Sequence, residues 1–194
     1  MNAYPPLQLL AAFLAVLAFA SFALSVVLVF RTSGDAGRML DLLKIGALGT
    51  AVIEVWAILQ PGAGIGWNGV LGCVGLGGAW LLFLWTAAVN RRRRLSLAFS
   101  PDLPSFLMRN GPYRFLRHPF YFSYLFAYGS AALAAWHPLP LGAVVVMWLV
   151  YWAAASREER KFASSGLRAE YAEYRKSTWS GVPGVGVFAQ EPKT

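Results

Sequence analysis

The sequence predicts an all-α integral membrane protein, a polytopic helical bundle that forms a single domain over residues 1–194. Of its 194 residues, 57% are hydrophobic and 13% are charged, about half the charged fraction of soluble domains. The mean hydropathy is +0.50. The apolar residues form continuous runs without strict alternation, which favours helices over a membrane β-barrel. This composition excludes a disordered chain, and the single cysteine, Cys73, excludes an internal disulfide framework.

Five apolar segments are long enough, or nearly so, to cross a hydrocarbon layer about 30 Å thick. The first, beginning at Pro6, carries no charge and lacks the basic leader of a signal peptide. The second is interrupted by Lys44 and Glu54. Only His137 and Pro138 separate the fourth from the fifth, which predicts a tight helical hairpin. The predicted spans are residues 6–30, 41–60, 69–90, 119–136 and 139–156.

The basic residues predict an orientation in the membrane. The chain has 17 Lys and Arg against 9 Asp and Glu, a formal net charge of +8. With five spans, every basic residue falls on one side, within residues 31–44, 91–117 and 157–193. Because cytoplasmic loops are enriched in Lys and Arg, we expect an outside N-terminus and a cytoplasmic C-terminus, in a bacterial inner membrane. The excess charge then reflects topology and contact with membrane lipids, and no nucleic-acid partner is expected.

Two features lie inside the spans. An acidic residue there costs about 2.5–3.5 kcal/mol unless it is paired, protonated or next to a polar cavity. Glu54 is therefore a candidate catalytic residue, through contact with substrate or through a pair with an arginine of residues 91–117. Glycines recur at every third position of the third span and predict close helix packing. They are Gly69, Gly72, Gly75 and Gly78.

Two polar stretches are candidates for chemistry. Residues 109–121 are Arg-Asn-Gly-Pro-Tyr-Arg-Phe-Leu-Arg-His-Pro-Phe-Tyr, and residues 157–176 include Arg-Glu-Glu-Arg-Lys and Glu-Tyr-Ala-Glu-Tyr. Gly111 permits a turn, Pro112 restricts the next φ, and Pro119 suits the first turn of a helix. This arrangement would hold several polar side chains around a helix amino end, where anions are favoured. They are Tyr113, Arg117, His118 and Tyr121.

The pattern G-x-Y-x-x-x-R-H-P-x-Y, followed by a membrane hairpin, E-E and E-Y-x-x-Y, resembles the isoprenylcysteine carboxyl methyltransferase family. It is more distantly similar to phospholipid N-methyltransferases. The resemblance implies an S-adenosylmethionine site outside a Rossmann fold, in a cofactor region over about residues 98–176, and methyl transfer to an O, N or S atom of a lipophilic, membrane-delivered acceptor. The positions matching cofactor contacts are Ser105, Leu107, Met108, Tyr113, His118, Pro119, Phe120, Tyr121 and Glu158.

Arg117 and Glu159 join Glu54 as candidate catalytic residues, and Glu159 or His118 is the nearest candidate base if a proton must leave. One position departs from the family pattern. Where prenylcysteine methyltransferases carry an arginine one turn before the first glutamate, this chain has residues 153–156, Ala-Ala-Ala-Ser. A prenylcysteine acceptor is therefore not implied. Neither histidine has a cysteine or second histidine at ligand spacing, so no metal site is expected.

Two other functions stay open. Membrane sterol reductases have a similar C-terminal cofactor region but bind NADPH, and a non-catalytic membrane scaffold could retain the motif. The sequence does not identify the methyl acceptor or the oligomeric state. It also predicts that Tyr171 and Tyr174, three residues apart, pack their helix against the membrane surface.

Overall fold

The structure is a computed structural model that describes residues 5–28, 30–31, 37–63, 66–91, 95–96 and 103–185. Side chains are described for residues 5–25, 44–63, 66–91 and 103–185. A 3₁₀ turn lies at Gly111–Arg114. The α-helices of the described residues are α1 Pro6–Leu28, α2 Gly37–Ile58, α3 Trp67–Asn90, α4 Pro119–Ala135, α5 Pro138–Ala163 and α6 Arg168–Ser177.

The architecture is helical, as predicted, with one small addition. Two short strands, β1 at Phe30–Arg31 and β2 at Leu95–Ser96, pair in parallel, with Phe30 opposite Leu95. The all-α prediction includes no strand, because a two-residue pairing has no periodicity to detect.

Within the described residues, three helices are long and apolar enough to cross a membrane: Pro6–Ser25, Trp67–Asn90 and Pro138–Ala163. These three fit an integral membrane protein. Two helices extend beyond the predicted spans: α2 begins at Gly37 and α5 continues to Ala163. The hydrophobic run of α5 ends near Ser156, but no proline or glycine interrupts the helix there. The count of five spans stays a prediction, since α4 has only 17 residues and α2 carries charges.

Helices α3 and α4 pack closely in antiparallel orientation, and the glycine repeat explains how. A Cβ atom at Gly72 would lie 2.5 Å from the Cβ of Ala134, and a Cβ at Gly75 would overlap Ser130. Close packing by these two glycines confirms the interpretation of the repeat. Cys73 is buried beside them, as a small packing residue.

Aromatic side chains join α1 and α4 in the core. The ring of Phe19 stacks on Tyr128 with centroids 4.9 Å apart, and Phe22 contacts Tyr124 at 4.7 Å. Phe83 of α3 also packs against Phe22, at 4.8 Å. Each such pair contributes about 0.5–1.5 kcal/mol beyond burial of its area.

The hairpin between α4 and α5 is as tight as predicted. Trp136 ends α4 in a left-handed conformation with φ of 49°. His137 caps α5, because its Nδ1 atom accepts a hydrogen bond from the backbone N–H of Leu139 at 3.1 Å. Pro138 occupies the first position of α5, where a missing N–H costs little. His137 is therefore a turn residue, as predicted.

Candidate active site

Residues 109–118, called the polar motif below, lead into α4. They contain a turn at a position that only glycine fits. Gly111 has a φ of +60°, and a Cβ there would lie 2.6 Å from Cγ2 of Val89, in the last turn of α3. Pro112 and Tyr113 follow it into the 3₁₀ turn and are buried. The loop is thus seated against the end of α3, which positions the residues that precede α4.

Four side chains form a charged cluster: Arg117, His118, Glu158 and Glu159. The Nδ1 atom of His118 lies 3.2 Å from Oε2 of Glu158, and Nε of Arg117 lies 2.9 Å from Oε1 of Glu159. The Nε2 atom of His118 is 3.5 Å from the same Oε1 atom. The hydroxyl of Tyr121 donates to Oε1 of Glu158 at 2.7 Å. The structure therefore brings five of the predicted site residues together.

The cluster is largely shielded from water. The side chains of Arg117 and Glu159 are each 8% exposed and that of His118 is 4% exposed, whereas that of Glu158 is 26% exposed. Burial opposes a charge on His118, but the two neighbouring glutamates outweigh it and raise the pKa of the imidazole. Arg175, on α6, adds a cation 3.6 Å from Oε2 of Glu159. The shielded charges are thus mutually paired, as burial of charge requires.

The segment after α6 holds the motif backbone in place. The N–H of Arg117 donates to the carbonyl of Trp179 at 2.8 Å, and the N–H of His118 donates to that of Ser180 at 3.2 Å. The guanidinium of Arg117 also donates to the carbonyl of Thr178. This segment could not be predicted from the sequence, because main-chain pairing between distant loops leaves no signal in side-chain types.

Helix α6 docks on the motif through its tyrosines, so the prediction that they pack against the membrane surface is wrong. The hydroxyl of Tyr174 donates to the carbonyl of Tyr113 at 2.6 Å, and Tyr171 stacks on Phe162 with centroids 4.4 Å apart. Both tyrosines are buried within the protein. Burial raises the pKa of Tyr174 to about 12, so its hydroxyl remains a donor at neutral pH.

Tyr113 lies next to a residue, Asn90, that the sequence motifs do not include. Asn90, the last residue of α3, donates from Nδ2 to the Tyr113 hydroxyl at 3.0 Å and to the carbonyl of Thr86 at 2.7 Å. Asn90 is 1% exposed. A polar residue beside Arg91 looks like the ordinary end of a span, so only the three-dimensional contact identifies it.

The other predicted cofactor contacts surround the motif. Pro119 and Phe120 form the buried first turn of α4, where Phe120 packs on Phe83 at 5.8 Å. Three more lie in the irregular segment before the 3₁₀ turn, one exposed and two half-buried. These are Ser105, Leu107 and Met108.

Glu54 lies apart from the charged cluster. It is completely buried, and neither carboxyl oxygen has a hydrogen-bond partner among the residues that the structure describes. Thr50, one turn earlier on α2, bonds to the hydroxyl of Tyr128 at 3.1 Å. Tyr128 follows His118 by about 15 Å along α4. No ion pair with an arginine is present in the described part of the chain, and a catalytic role for Glu54 stays a prediction.

Comparison with known proteins bears on the same region. The profile of the family described as Phospholipid methyltransferase matches residues 67–169, more than half of the chain. No curated protein and no solved structure matches the chain. The match confirms the broader relationship to membrane methyltransferases, whereas the closer likeness to isoprenylcysteine carboxyl methyltransferases stays a prediction. The matched residues include α3, the polar motif and the charged cluster, and the chain therefore belongs to the phospholipid methyltransferase family.

Proposed function

We propose that this protein is an S-adenosylmethionine-dependent methyltransferase that acts on a lipophilic acceptor delivered by the membrane. The observation that carries the proposal is the pairing of His118 with Glu158 in a buried charged cluster at the amino end of α4. In a family of membrane methyltransferases, a site with both charges suits the zwitterionic end of this cofactor.

The residues present fit the cofactor. Glu158 is the most exposed member of the charged cluster and retains acceptor capacity for an ammonium group. The Nε2 atom of His118, which has no hydrogen-bond partner among the described residues, and the first-turn N–H groups of α4 favour a carboxylate. Tyr121 and Tyr151 stack with centroids 5.4 Å apart and offer aromatic faces, which attract a sulfonium. When bound, S-adenosylmethionine supplies a methyl group on positively charged sulfur.

The chain's own contribution is chiefly to hold two reactants in line and exclude water. An acceptor that is an anion or a free amine needs no base, and correct placement contributes up to about 7–11 kcal/mol. Because the charges of Arg117 and Glu159 are committed to each other, we assign these two residues positioning roles. His118 and Glu158 are the residues that we expect to touch the cofactor.

The acceptor class follows from the residues near Glu158. One turn before it, Ala155 packs against Val182 and Val185 of the C-terminal segment. Residues 153–156, Ala-Ala-Ala-Ser, provide no guanidinium for an acceptor carboxylate at this turn of α5. We therefore favour a lipophilic acceptor whose nucleophilic O, N or S atom is presented without an anionic anchor at this turn.

The same proposal includes the topology: a single domain with five spans, an outside N-terminus and a cytoplasmic site. Two observations support this topology. Helices α3 and α4 pack in antiparallel orientation, and all Lys and Arg fall on one side of the membrane in the predicted topology. In a Cys73→Ala background, His137→Cys should react with a membrane-impermeant maleimide from outside, and Arg91→Cys should react only after the membrane is opened. The reverse pattern would overturn the orientation.

Cofactor binding is the first test. The purified protein should bind S-adenosylhomocysteine in calorimetric titration, and His118→Ala and Glu158→Ala should abolish that binding. His137→Ala is the matched control, because this histidine lies at the hairpin and should leave binding unchanged. Tight binding of NADPH without binding of S-adenosylhomocysteine would support the reductase instead.

Methyl transfer is the second test. Membranes containing the protein are incubated with S-adenosylmethionine carrying a labelled methyl group, and lipid extracts are separated to find the labelled species. A labelled lipid should form in membranes that contain the unaltered protein and should not form in membranes that contain His118→Ala. Cofactor binding without any labelled product would indicate a scaffold that retains the site.

A further inference from the structure

Two buried hydrogen-bonding side chains lie next to each other outside the charged cluster. Asn90 is 1% exposed and Tyr113 is 7% exposed. They come from different parts of the chain, the end of α3 and the 3₁₀ turn, and the close approach of Gly111 to Val89 brings them together.

The bonds that these side chains make determine which of their atoms stay vacant. Nδ2 of Asn90 donates to the carbonyl of Thr86 and to the hydroxyl of Tyr113. A carbonyl can only accept, so the amide nitrogen must face it and Oδ1 must face elsewhere. Oδ1 has no hydrogen-bond partner within the described ranges of the chain. The Tyr113 hydroxyl accepts from Asn90, so its own proton is available to a second acceptor.

This vacant pair lies near the proposed cofactor site. Tyr113 belongs to the segment that leads directly into His118. Burial raises the pKa of Tyr113, the hydrogen bond from Asn90 lowers it, and the negative charge of Glu158 raises it further. The backbone geometry places Tyr113 there as well, because the hydroxyl of Tyr174 donates to the carbonyl of Tyr113 at 2.6 Å and to that of Leu116, the residue before Arg117, at 3.3 Å. The pair itself carries no charge, so it suits the neutral, hydrogen-bonding part of a ligand whose charged end is at the cluster.

We propose that Asn90 and Tyr113 bind the adenine of the cofactor, an inference that rests on the proposed function. Oδ1 of Asn90 accepts a hydrogen bond from the exocyclic amino group, and the Tyr113 hydroxyl donates to the neighbouring ring nitrogen. Adenine presents this donor beside an acceptor, which complements the vacant acceptor and donor. Both side chains are thus determinants of specificity for the base.

The test compares two ligands and three variants. Calorimetry measures the affinity of the purified protein for S-adenosylhomocysteine and for its analogue in which hydrogen replaces the amino group of adenine. The variants are Asn90→Leu and Tyr113→Phe, with Asn68→Leu at the opposite end of α3 as the matched control. Tyr113→Phe removes only one hydroxyl, so it keeps the test decisive if Asn90→Leu fails to fold.

The unaltered protein and Asn68→Leu should bind S-adenosylhomocysteine about 10- to 100-fold more tightly than the analogue, because a buried acceptor is left unsatisfied by the analogue. Asn90→Leu should bind both ligands within about threefold of each other. Tyr113→Phe should weaken the binding of S-adenosylhomocysteine by about 5- to 10-fold.

Unchanged affinity and discrimination in both variants would overturn the inference, as would an equal loss of affinity for both ligands in Asn90→Leu. If the unaltered protein binds the analogue as tightly, the inference fails while the proposed function stands. If the unaltered protein binds neither ligand, both the inference and the proposed function fail.

Discussion

The buried pair of Arg117 and Glu159 allows a quantitative prediction. Glu159→Gln keeps the shape of the side chain but leaves a guanidinium that is 8% exposed facing a neutral amide. Breaking a buried pair on one side costs about 3–5 kcal/mol, because the remaining charge is uncompensated. In a chain of this size each kcal/mol lowers Tm by about 2–4 °C, so we expect a decrease of about 6–20 °C. Tryptophan fluorescence of the detergent-solubilised protein, which has 8 tryptophans, would follow unfolding.

The control for this prediction is an exposed pair on α6. Glu173 contacts Lys176 at 2.8 Å, but their side chains are 71% and 73% exposed. Glu173→Gln should shift Tm by less than about 2 °C, because water screens such pairs. The double variant Arg117→Leu/Glu159→Leu should recover part of the loss, since it leaves neither charge of the pair unpartnered. Equal shifts for Glu159→Gln and Glu173→Gln, or a double variant that is no more stable than Glu159→Gln, would refute the reasoning.

The remaining predictions concern protonation and close approach. Because the pKa of His118 is raised in the folded state, its contribution to stability is fully present below about pH 6.5 and is lost as pH rises through the raised value. Tm measured from pH 6 to 9 should fall accordingly, and His118→Gln should flatten the profile. Gly111→Ala should lower Tm and weaken S-adenosylhomocysteine binding, because φ is +60° and a Cβ would collide with α3. Gly129→Ala, which meets no atom within 4 Å, should raise Tm slightly or leave it unchanged. Gly72→Val should separate α3 from α4 and lower Tm, whereas Gly77→Val, in open space, should have little effect.

Much of the helical layout could be predicted because hydrophobic runs report burial in lipid directly. The start of α5 was also predictable, since Pro138 can occupy the first position of a helix. The end of α5 was not, because helical propensity continues after the apolar residues stop. That extension to Ala163 is what places Glu158 and Glu159 on a rigid helix opposite His118.

Site residues could be predicted only where unusual residue types follow one another within one stretch of the sequence. The motif around His118 and the Glu158–Glu159 pair could be identified because their residue types and order are unusual. Asn90 could not, because its role depends on which side chain of another segment approaches it. The carbonyl of Ser180 could not be identified either, because every residue has one.

The pairing of the motif with residues 178–180 has a consequence for biosynthesis. The ribosome synthesises α1 and α3, which are apolar enough to cross a membrane, together with Arg117 and His118, well before Trp179 and Ser180 emerge. Until then the main-chain donors before α4 lack their acceptors. The two apolar helices can therefore leave the ribosome before these backbone bonds form, and nascent chains that stall after α5 would lack the bonds altogether.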